Sequence, residues 1–473
     1  MEPWVADWLA EQRKAGEKCL EIKCIQNKPY VYHSTSRYDK ETKRPKKVST
    51  YLGRLDQKYG LIRKEDRRPG EHPKVRTIHE YGNAAVIAEE LDTLFPILKS
   101  AFPGSYDEIV ALASARVSGY VPLKRIADVW GKLENVLDVY PNCDPKNLSA
   151  VLREIGADRS AQQQIFTHLN SLSKQLIYDL SFILSDSSSL VLAEKAYVSD
   201  GVYLPHYHIA LFCGRDSGLP VMIRSLPGSI ADVSTLDLAL KEIDLRDKIL
   251  LLDRGFISDE NFVAMAERLI QFVIPLKRDS IHYKNRIHLT GHFQYHKRLI
   301  HSGKHAVDNF MLYLFEDEDL ALDEKKTLYS RFEKGQITRS ELNDGLKKIG
   351  RILFLTTVDM PEQDVYELYK SRDMVEKFFD TFKNELMADK VHLQDTEAVF
   401  GHLFVSFISL YIYCKVLNRL KSAGILTHFS PHDILTKFSK VYAYRIQEER
   451  VITEVPKKVR DLAKKLGYSM FPN

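Results

Sequence analysis

Four polar residues stand at regular intervals within residues 364–386. They are Tyr369, Arg372, Glu376 and Lys383. At about 100° per residue these side chains fall within roughly 60° of one another, along one flank of an apolar stripe. A carboxylate placed there, with Arg372 before it and Lys383 after it, can face a cleft that holds a metal ion and a phosphate chain. An ordinary surface ion pair between Arg372 and Glu376 is the simpler interpretation of this stretch alone.

The element that must position these side chains is a helix. Apolar residues recur at the three-and-four spacing of a helix with one buried face, and neither Gly nor Pro interrupts them. The apolar residues are Val365, Leu368, Val375, Phe378, Phe379, Phe382 and Leu386. The pattern therefore predicts one continuous helix over residues 364–386.

Two further acids lie on predicted strands. Asp179 is inside the apolar run LIYDLSFIL at 176–184, and Asp253 ends the run KILLLD at 248–253. The order of strand, hairpin, helix, strand, helix and strand over 175–277 predicts a mixed α/β sheet, with ligands at the carboxyl ends of its strands. Two strand carboxylates and Glu376 can converge on a pair of divalent ions about 3.5–4 Å apart. Oxygen ligands favour Mg²⁺, with Mn²⁺ as a substitute, over zinc.

The spacing Y-x₂-R-x₃-E-x₆-K from Tyr369 to Lys383 resembles the signature of the DDE insertion-sequence transposases of the insertion-sequence-four superfamily. Asp253-Arg254-Gly255-Phe256 is similar to the second-aspartate motif of that superfamily, and YDLSFILS with LPGSIADVSTL is similar to the region from the first aspartate onward. The resemblance covers residues 176–417. It implies a ribonuclease H-like catalytic fold, an insertion between the second aspartate and the glutamate, and cut-and-paste movement of a DNA element by a transposase dimer.

The resemblance also implies roles for single residues. Asp179, Asp253 and Glu376 are expected to be catalytic and to hold two Mg²⁺ ions. Phosphates of the transposon end are expected to bind Tyr369, Arg372 and Lys383, and Arg254 of the second motif is also expected to contact DNA. Asp200 is the rival first aspartate. Asp179 is preferred because it lies in an apolar run, whereas Asp200 precedes a glycine in a polar connection.

The N-terminal region is locally basic. Residues 30–37 and 47–53 are β-rich runs on either side of a turn, which predicts a hairpin. Its basic residues Lys43, Arg44, Lys46 and Lys47 are predicted to bind DNA, since tyrosines are interleaved with them. A solvated charged surface is the alternative, because acidic residues dilute the patch.

The pattern along the chain, together with what the resemblance implies, predicts six segments of an α/β protein. They are a basic hairpin region at 1–75, a helical DNA-binding domain at 76–170, the first part of a ribonuclease H-like core at 171–279, an insertion subdomain at 280–350, the second part of the core with Glu376 at 351–420, and a C-terminal helical tail at 421–473. The core is expected to be a mixed sheet flanked by helices.

Composition excludes some classes of protein. The 473 residues are 44% hydrophobic and 28% charged, which is typical of a globular protein with two or three domains. A net charge of +4 is too small to prove a nucleic-acid partner. Five cysteines and an N-terminus without a signal-peptide pattern favour a reduced cytoplasmic, nucleoid-associated protein. The apolar run at 399–417 contains His, Ser and Lys residues, so we expect a buried helix and no membrane partner.

Two features of the predicted insertion stay open. Six histidines between 282 and 305 (His282, His288, His292, His296, His301 and His305) could form a metal cluster, but a polar, DNA-facing surface is the preferred interpretation. The insertion has no Trp on which a flipped base could stack, although an aromatic ring of another type could take that role. The candidates are Tyr283, Phe293, Tyr295, Phe310 and Tyr313.

The predicted function is metal-dependent cleavage at the inverted-repeat ends of an insertion sequence, followed by strand transfer into target DNA. The expected partners are double-stranded DNA and a second copy of the chain in the DNA complex. Two alternatives remain: a ribonuclease H-like DNA endonuclease without strand transfer, and a DNA-binding protein derived from a transposase that has lost catalysis.

Overall fold

A computed structural model describes most of the chain. The described residues are 2–25, 28–39, 43–63, 75–185, 190, 192–199, 202–230, 232–389, 391, 393–446 and 449–471. The chain divides into two compact units. The first is Met1–Thr77 with Arg445–Val451, and the second is Ile78–Tyr444 with Ile452–Asn473.

The first unit contains one helix and a four-stranded antiparallel sheet. Helix α1 is Pro3–Lys14, and the strands are β1 (Leu20–Ile25), β2 (Lys28–Asp39), β3 (Arg44–Asp56) and β4 (Gly60–Arg63). The strands pair in the order β1-β2-β3-β4. Val5, Val31 and Leu55 form a small buried core, and Trp4 and Trp8 pack against it.

Strands β2 and β3 form a hairpin at the position of the two β-rich runs. They pair from Tyr30 opposite Arg54 to Asp39 opposite Arg44. Strand β1 was not predicted, although the residues LEIKCI alternate apolar and charged side chains at first, as a half-buried strand does. Strand β4 has only four residues, which is too short for a clear pattern.

The second unit starts with helices. Strand β5 (Val75–Glu80) leads into it, and the helices are α2 (Gly82–Leu91), α3 (Phe95–Ala101), α4 (Tyr106–Val117), α5 (Ile126–Trp130), α6 (Pro145–Ala157) and α7 (Arg159–Ser171), with a 3₁₀ turn at Leu123–Arg125. The start of α6 shows how the sequence sets these boundaries. Pro145 is the first helical residue, and the Asp144 carboxylate accepts hydrogen bonds from the backbone N–H groups of Lys146 and Asn147.

A ten-stranded mixed sheet forms the centre of the second unit. Its first part consists of β6 (Gln175–Leu184), β7 (Glu194–Ser199), β8 (Val202–Gly214), β9 (Leu219–Pro227), β10 (Ile249–Leu251) and β11 (Gln271–Pro275), with helices α8 (Asp232–Leu240) and α9 (Asp259–Glu267) between them. Strand β10 is parallel to β6 and to β11, whereas β8 is antiparallel to β6. The predicted hairpin with a turn near 216–218 is the β8–β9 pair.

The rest of the sheet comes from the predicted insertion and the strand that follows it. These elements are β12 (Gly291–Tyr295), β13 (Arg298–Val307), β14 (Phe310–Asp317), α10 (Glu318–Glu333), α11 (Arg339–Leu346) and β15 (Arg351–Thr356). The strand order is β12-β13-β14-β15-β11-β10-β6-β8-β7, and β9 also pairs with β8. The strands of residues 280–350 therefore extend the central sheet at one edge.

The last part of the chain is mostly helical. Its helical elements are α12 (Glu362–Lys370), α13 (Asp373–Asp380), a π-helical turn at Thr381–Glu385, α14 (Thr396–Ser422), α15 (Pro431–Phe438) and α16 (Lys457–Leu466). The prediction of a wholly helical tail is wrong, because β16 (Tyr442–Ile446) and β17 (Glu449–Ile452) interrupt it. Aromatic and β-branched residues in both segments favour strands.

Helix α14 lies in the core of the second unit. By length and composition it could cross a membrane, but 89% of its apolar window is buried inside the fold, where it packs against α4, α6 and β9. Gly156 of α6 and Gly401 of α14 allow the closest approach. A Cβ atom on Gly156 would overlap the carbonyl of Glu397, and one on Gly401 would overlap the carbonyl of Leu152. The structure thus places this run in the core.

Candidate active site

The two strand acids lie at the same level of the sheet. In the parallel pair of β6 and β10, Ile177 is opposite Leu251. Asp179, in the middle of β6, and Asp253, just after β10, each follow two residues later, so the register brings them to neighbouring positions. Their negative charges interact, because Asp253 raises the pKa of Asp179. The sheet therefore brings together two acids that are 74 residues apart in the sequence.

Arg372 connects Asp179 of strand β6 to Glu376 of helix α13. Its Nη1 donates to Oδ2 of Asp179 at 2.8 Å, and its Nη2 donates to Oε1 of Glu376 at 3.1 Å. The guanidinium and the Asp179 carboxylate are largely buried, with side-chain exposures of 16% and 18%, whereas Glu376 is 62% exposed. One arginine therefore bridges two of the three predicted catalytic carboxylates.

The predicted single helix over 364–386 is wrong in one respect. Helix α12 ends at Lys370 and α13 begins at Asp373, with a turn at Ser371 and Arg372. Ser371 Oγ donates to the carbonyl of Leu368 at 2.6 Å, and the N–H of Arg372 bonds to Tyr369 O, three residues back. A serine that satisfies a helix carbonyl, together with i to i+3 bonding, ends an α-helix locally. The apolar spacing alone does not reveal this competition.

The Asp179 carboxyl has a perturbed pKa. Burial raises it from 3.8 to about 6, and the negative charges of Asp253 and Glu376 add to the rise. A hydrogen bond from the N–H of Leu180 and the charge of Arg372 act in the opposite direction. Three acids crowded around one arginine favour the arrival of further positive charge.

Lys383 lies beside the same strand. Its Nζ donates to Ser181 Oγ at 2.6 Å and lies 5.1 Å from the ring centre of Phe182. Burial lowers the pKa of Lys383. The ammonium is therefore held two residues along β6 from Asp179, on a hydroxyl acceptor and an aromatic ring.

Tyr369 completes the cluster. Its ring packs on Phe354 with a centroid distance of 4.5 Å. Burial raises its pKa well above the usual value of 10, and the charges of Arg372, Asp253 and Arg254 also act on it. Its hydroxyl stays protonated at neutral pH and can donate a hydrogen bond.

Arg254 is exposed in the turn that follows β10. The 3₁₀ turn Arg254–Phe256 is anchored by Phe256, which is buried and lies 5.1 Å from the ring of Tyr178. The turn thereby fixes Asp253 above the sheet and presents Arg254 to solvent. The structure brings six predicted residues into one neighbourhood with Arg372: Asp179, Asp253, Arg254, Tyr369, Glu376 and Lys383.

Sequence reasoning missed two residues that hold this neighbourhood together, Ser181 and Arg215. Ser181 could have been found, because it lies two residues after Asp179 on the same strand face. Arg215 gave no signal: its Nε donates to Ser371 Oγ at 3.2 Å, and its Nη1 donates to Gln175 Oε1 at 2.9 Å. Arg215 therefore supports the turn that aims Arg372 at Asp179.

Other predicted residues lie elsewhere or are not described. The basic residues of the hairpin belong to the first unit: Lys43, Arg44, Lys46 and Lys47 are exposed, and Lys47 pairs with Glu21 at 2.7 Å. The rival first aspartate, Asp200, lies outside the described residues. Most of the aromatic candidates for base stacking contribute to packing. Tyr313 is fully buried, and Phe293 packs on Tyr366 at 5.4 Å.

The donor chemistry of the neighbourhood fits a hard divalent cation. Asp179, Asp253 and Glu376 offer only oxygen atoms. Burial is the main cause of the raised pKa of Asp179, and the negative charges of Asp253 and Glu376 add to it. Arg372 supplies part of the positive charge in this structure. Within the part of the chain that the structure describes, no three or more His, Cys, Asp or Glu side chains form a ready metal-binding group, and this holds for the histidines at 282–305 too.

Comparison with known proteins identifies a related domain. Residues 178–412, just under half of the chain, match the family described as "Transposase DDE domain". The matched segment includes Asp179, Asp253 and Glu376, together with Arg372 between them. No curated protein matches the chain.

Two solved transposase structures resemble the chain distantly. The piggyBac transposase synaptic complex with hairpin DNA has 11% sequence identity and a TM-score of 0.39, over 78% of this chain and 77% of that chain. The Mos1 transposase paired-end complex with left transposon end has 10% identity and a TM-score of 0.16, over 32% of this chain and 54% of that chain.

Proposed function

We propose that this protein is a DDE transposase that cuts DNA at the inverted-repeat ends of its own element and transfers the ends into target DNA. One observation carries the proposal. Within the segment that matches the transposase DDE domain, Arg372 bonds both to Asp179 of the sheet and to Glu376 of the helical layer, with Asp253 beside them. Asp179 of β6, Asp253 after β10 and Glu376 of α13 interact with one another, and metal-dependent phosphoryl transfer requires such a group of acids.

The finer assignment within this proposal is the insertion-sequence-four superfamily with a ribonuclease H-like core. The Y-x₂-R-x₃-E-x₆-K spacing supports the superfamily. The central sheet supports the core, because β6, β10 and β11 are parallel and β8 is antiparallel to β6. Residues 280–350 would then be the insertion between the second aspartate and the glutamate.

The proposed catalytic residues are Asp179, Asp253 and Glu376, which would hold two Mg²⁺ ions, with Mn²⁺ as a substitute. When bound, such ions activate the attacking water or 3′-hydroxyl and stabilise the leaving oxygen. Glu376 is the most exposed of the three acids and has the most freedom to reorient. Arg372 would release the carboxylates as positive charge arrives.

Arg372, Lys383 and Tyr369 would bind the DNA backbone. A phosphate offers Arg372 the same two-oxygen partner that a carboxylate does, so the guanidinium can exchange one for the other. Lys383 would bind a phosphate as a point charge, and the neutral hydroxyl of Tyr369 would donate a hydrogen bond. Arg254, exposed beside Asp253, would contact DNA at the rim of the site.

The remaining partners are also part of the proposal. Lys43, Arg44, Lys46 and Lys47 would contact the terminal repeat outside the cleavage site, and two copies of the chain would act together on paired ends. A cytoplasmic, nucleoid-associated location is consistent with cysteines that are unpaired throughout the described part of the chain.

The test is cleavage and strand transfer of labelled DNA that carries the ends of the element, with Mg²⁺, for the wild type and Glu376→Ala. We expect the wild type to cut and join, and the variant to bind the ends but do neither. Asp364→Ala, on α12 and also exposed, is the matched control and should retain activity.

Three results would change the proposal. Cleavage by Glu376→Ala at the wild-type rate would remove Glu376 from catalysis. Cutting by the wild type without joining would favour the endonuclease alternative. End-specific binding by the wild type without cleavage would favour a DNA-binding protein that has lost catalysis.

A further inference from the structure

A second arginine of the second unit has an unusual environment. Arg116 lies in the last turn of α4 and is only 4% exposed. Burial lowers its pKa to about 10, so the guanidinium is still positively charged at neutral pH. A buried charge is costly unless an opposite charge lies beside it.

The protein groups that bond to this guanidinium in the described part of the chain are neutral. Its Nη1 donates to His402 O at 3.1 Å and to Ser406 Oγ, and its Nη2 donates to His402 Nδ1 at 3.2 Å. Because a guanidinium only donates, His402 Nδ1 must accept, and its Nε2 carries the proton that it donates to Ala388 O at 3.0 Å. His402 is therefore the neutral tautomer, and no carboxylate within the described ranges pairs with Arg116.

Arg224 provides an internal comparison. It is also buried, at 8% exposure, but its Nε donates to the carboxylate of Glu242 and its Nη1 donates to Gln162 Oε1 at 2.7 Å. Among the described residues these two are the buried arginines. One of them has its counter-charge within the protein, and the other does not.

Arg116 lines a cavity. The cavity has a volume of about 330 Å³ and lies between the end of α4, the following loop, α6 and α14. This size falls at the lower end of the range for small-molecule sites. Its polar lining is cationic or neutral and comes from Arg116, Tyr120, Lys124 and His402, whereas Val121, Leu152 and Leu393 are among its apolar walls.

We propose that this cavity binds a small organic anion, with a carboxylate or phosphate group on Arg116 and an apolar body against the apolar walls. The anion supplies the counter-charge that the fold omits, and Lys124 adds a second cation at the same cavity. The backbone phosphate of a DNA duplex does not fit this role, because a guanidinium that is 4% exposed lies too deep for it. The inference is independent of the proposed transposase activity.

The test uses the full-length chain without DNA, in thermal denaturation and calorimetric titration. The probes are octanoate, octyl phosphate and octanol, which share an apolar chain and differ in their head groups. We expect the melting temperature to rise saturably with octanoate or octyl phosphate and to remain unchanged with octanol. The stronger of the two anionic probes distinguishes a carboxylate from a phosphate ligand.

Two variants locate the binding. Arg116→Met removes the charge and retains much of the apolar stem, so we expect a melting temperature in ligand-free buffer at or above that of the wild type, and no response to either anion. Val121→Trp, at a partly exposed wall, fills the cavity and leaves Arg116 in place. We expect the same loss of response in this variant.

The matched control is Lys465→Met, which removes a cation on α16 outside this cavity and should retain the full response. A wild type that shows no saturable response to either anion would overturn the proposal. An equal response in Arg116→Met or in Val121→Trp would also overturn it, because the anion would then bind elsewhere.

Discussion

Two arginines in the second unit show opposite ways of placing a cation inside a protein. Arg372 lies between Asp179 and Glu376, and its charge is balanced by acids of the candidate active site. Arg116 lies against α14, and its hydrogen-bond partners among the residues that the structure describes are neutral. The first cation belongs to a site where acids are in excess, and the second to a site where an acid is absent.

The difference shows which charge each site lacks. Around Arg372, one guanidinium pairs with the carboxylates of Asp179 and Glu376. The negative charges of Asp253 and Glu376 add to the rise that burial causes in the pKa of Asp179. Such a site attracts further cations. Around Arg116 the unbalanced charge is positive, and the site attracts an anion. The following variants break or sharpen this comparison.

The largest expected effect concerns the buried arginine that has a partner. Arg224→Met leaves the Glu242 carboxylate with only the longer ion pair to the exposed Arg159, at 3.8 Å, and should lower the free energy of unfolding by about 3 kcal/mol. Arg116→Met leaves no carboxylate behind and should leave the free energy of unfolding unchanged or raise it. Urea denaturation of both variants measures the contrast, and equal destabilisation would contradict it.

The next effect concerns catalysis. Asp253→Ala should reduce the cleavage rate by about 10²-fold or more, because it removes one of the charges on which the transition state depends. The exposed acid Asp323, mutated to Ala, is the control and should cleave at the wild-type rate. A labelled-end cleavage assay decides the outcome. Wild-type cleavage by Asp253→Ala would exclude this acid from the site.

The pair of Arg372 and Asp179 should give a pH-dependent effect. The folded-state pKa of Asp179, about 6, lies above the ordinary value of 3.8, so ionising this acid costs stability as the pH rises through that window. Arg372 limits the cost. Arg372→Met should therefore lower the free energy of unfolding by about 2 kcal/mol at pH 8, and by much less at pH 4, where Asp179 is protonated.

The control for this pH effect is the same substitution in an Asp179→Asn background. Without the carboxylate, Arg372→Met should have little effect at either pH. Denaturation curves at pH 4 and pH 8 for the four proteins measure the coupling. A destabilisation by Arg372→Met that is the same at both pH values would show that packing, and not charge, explains the effect.

The smallest effect concerns the support of the turn. Arg215→Met removes one hydrogen bond to Ser371 and one to Gln175, at a cost of about 1 kcal/mol. Because this turn aims Arg372, binding of the transposon end should weaken several-fold, with a shallower dependence on salt. Arg246→Met, an exposed arginine paired with Asp244, should leave DNA binding unchanged. Equal binding by both variants would show that Arg215 contributes to stability and not to DNA binding.

Much of the second unit could be predicted from the chain because its signals are local. The apolar runs at 176–184 and 248–253 predicted β6 and β10. The turn at Ser371 could not be predicted, because it depends on a serine hydroxyl that competes for a helix carbonyl and on Arg215 from the distant turn between β8 and β9. Strands β16 and β17 were also missed, because their runs are too short to outweigh the helical pattern of the surrounding sequence.

The sequence by itself determined which side chains are available: three acids, a tyrosine, an arginine and a lysine at spacings that resemble a known signature. Only the tertiary structure decided that Arg372 bonds to Asp179, since their contact joins residues 193 positions apart. It also decided that Arg116 lies without a counter-charge, because nothing in the sequence near α4 indicates what α14 places beside it. Spacing along the chain sets local geometry, whereas burial and charge balance depend on every element that packs around a group.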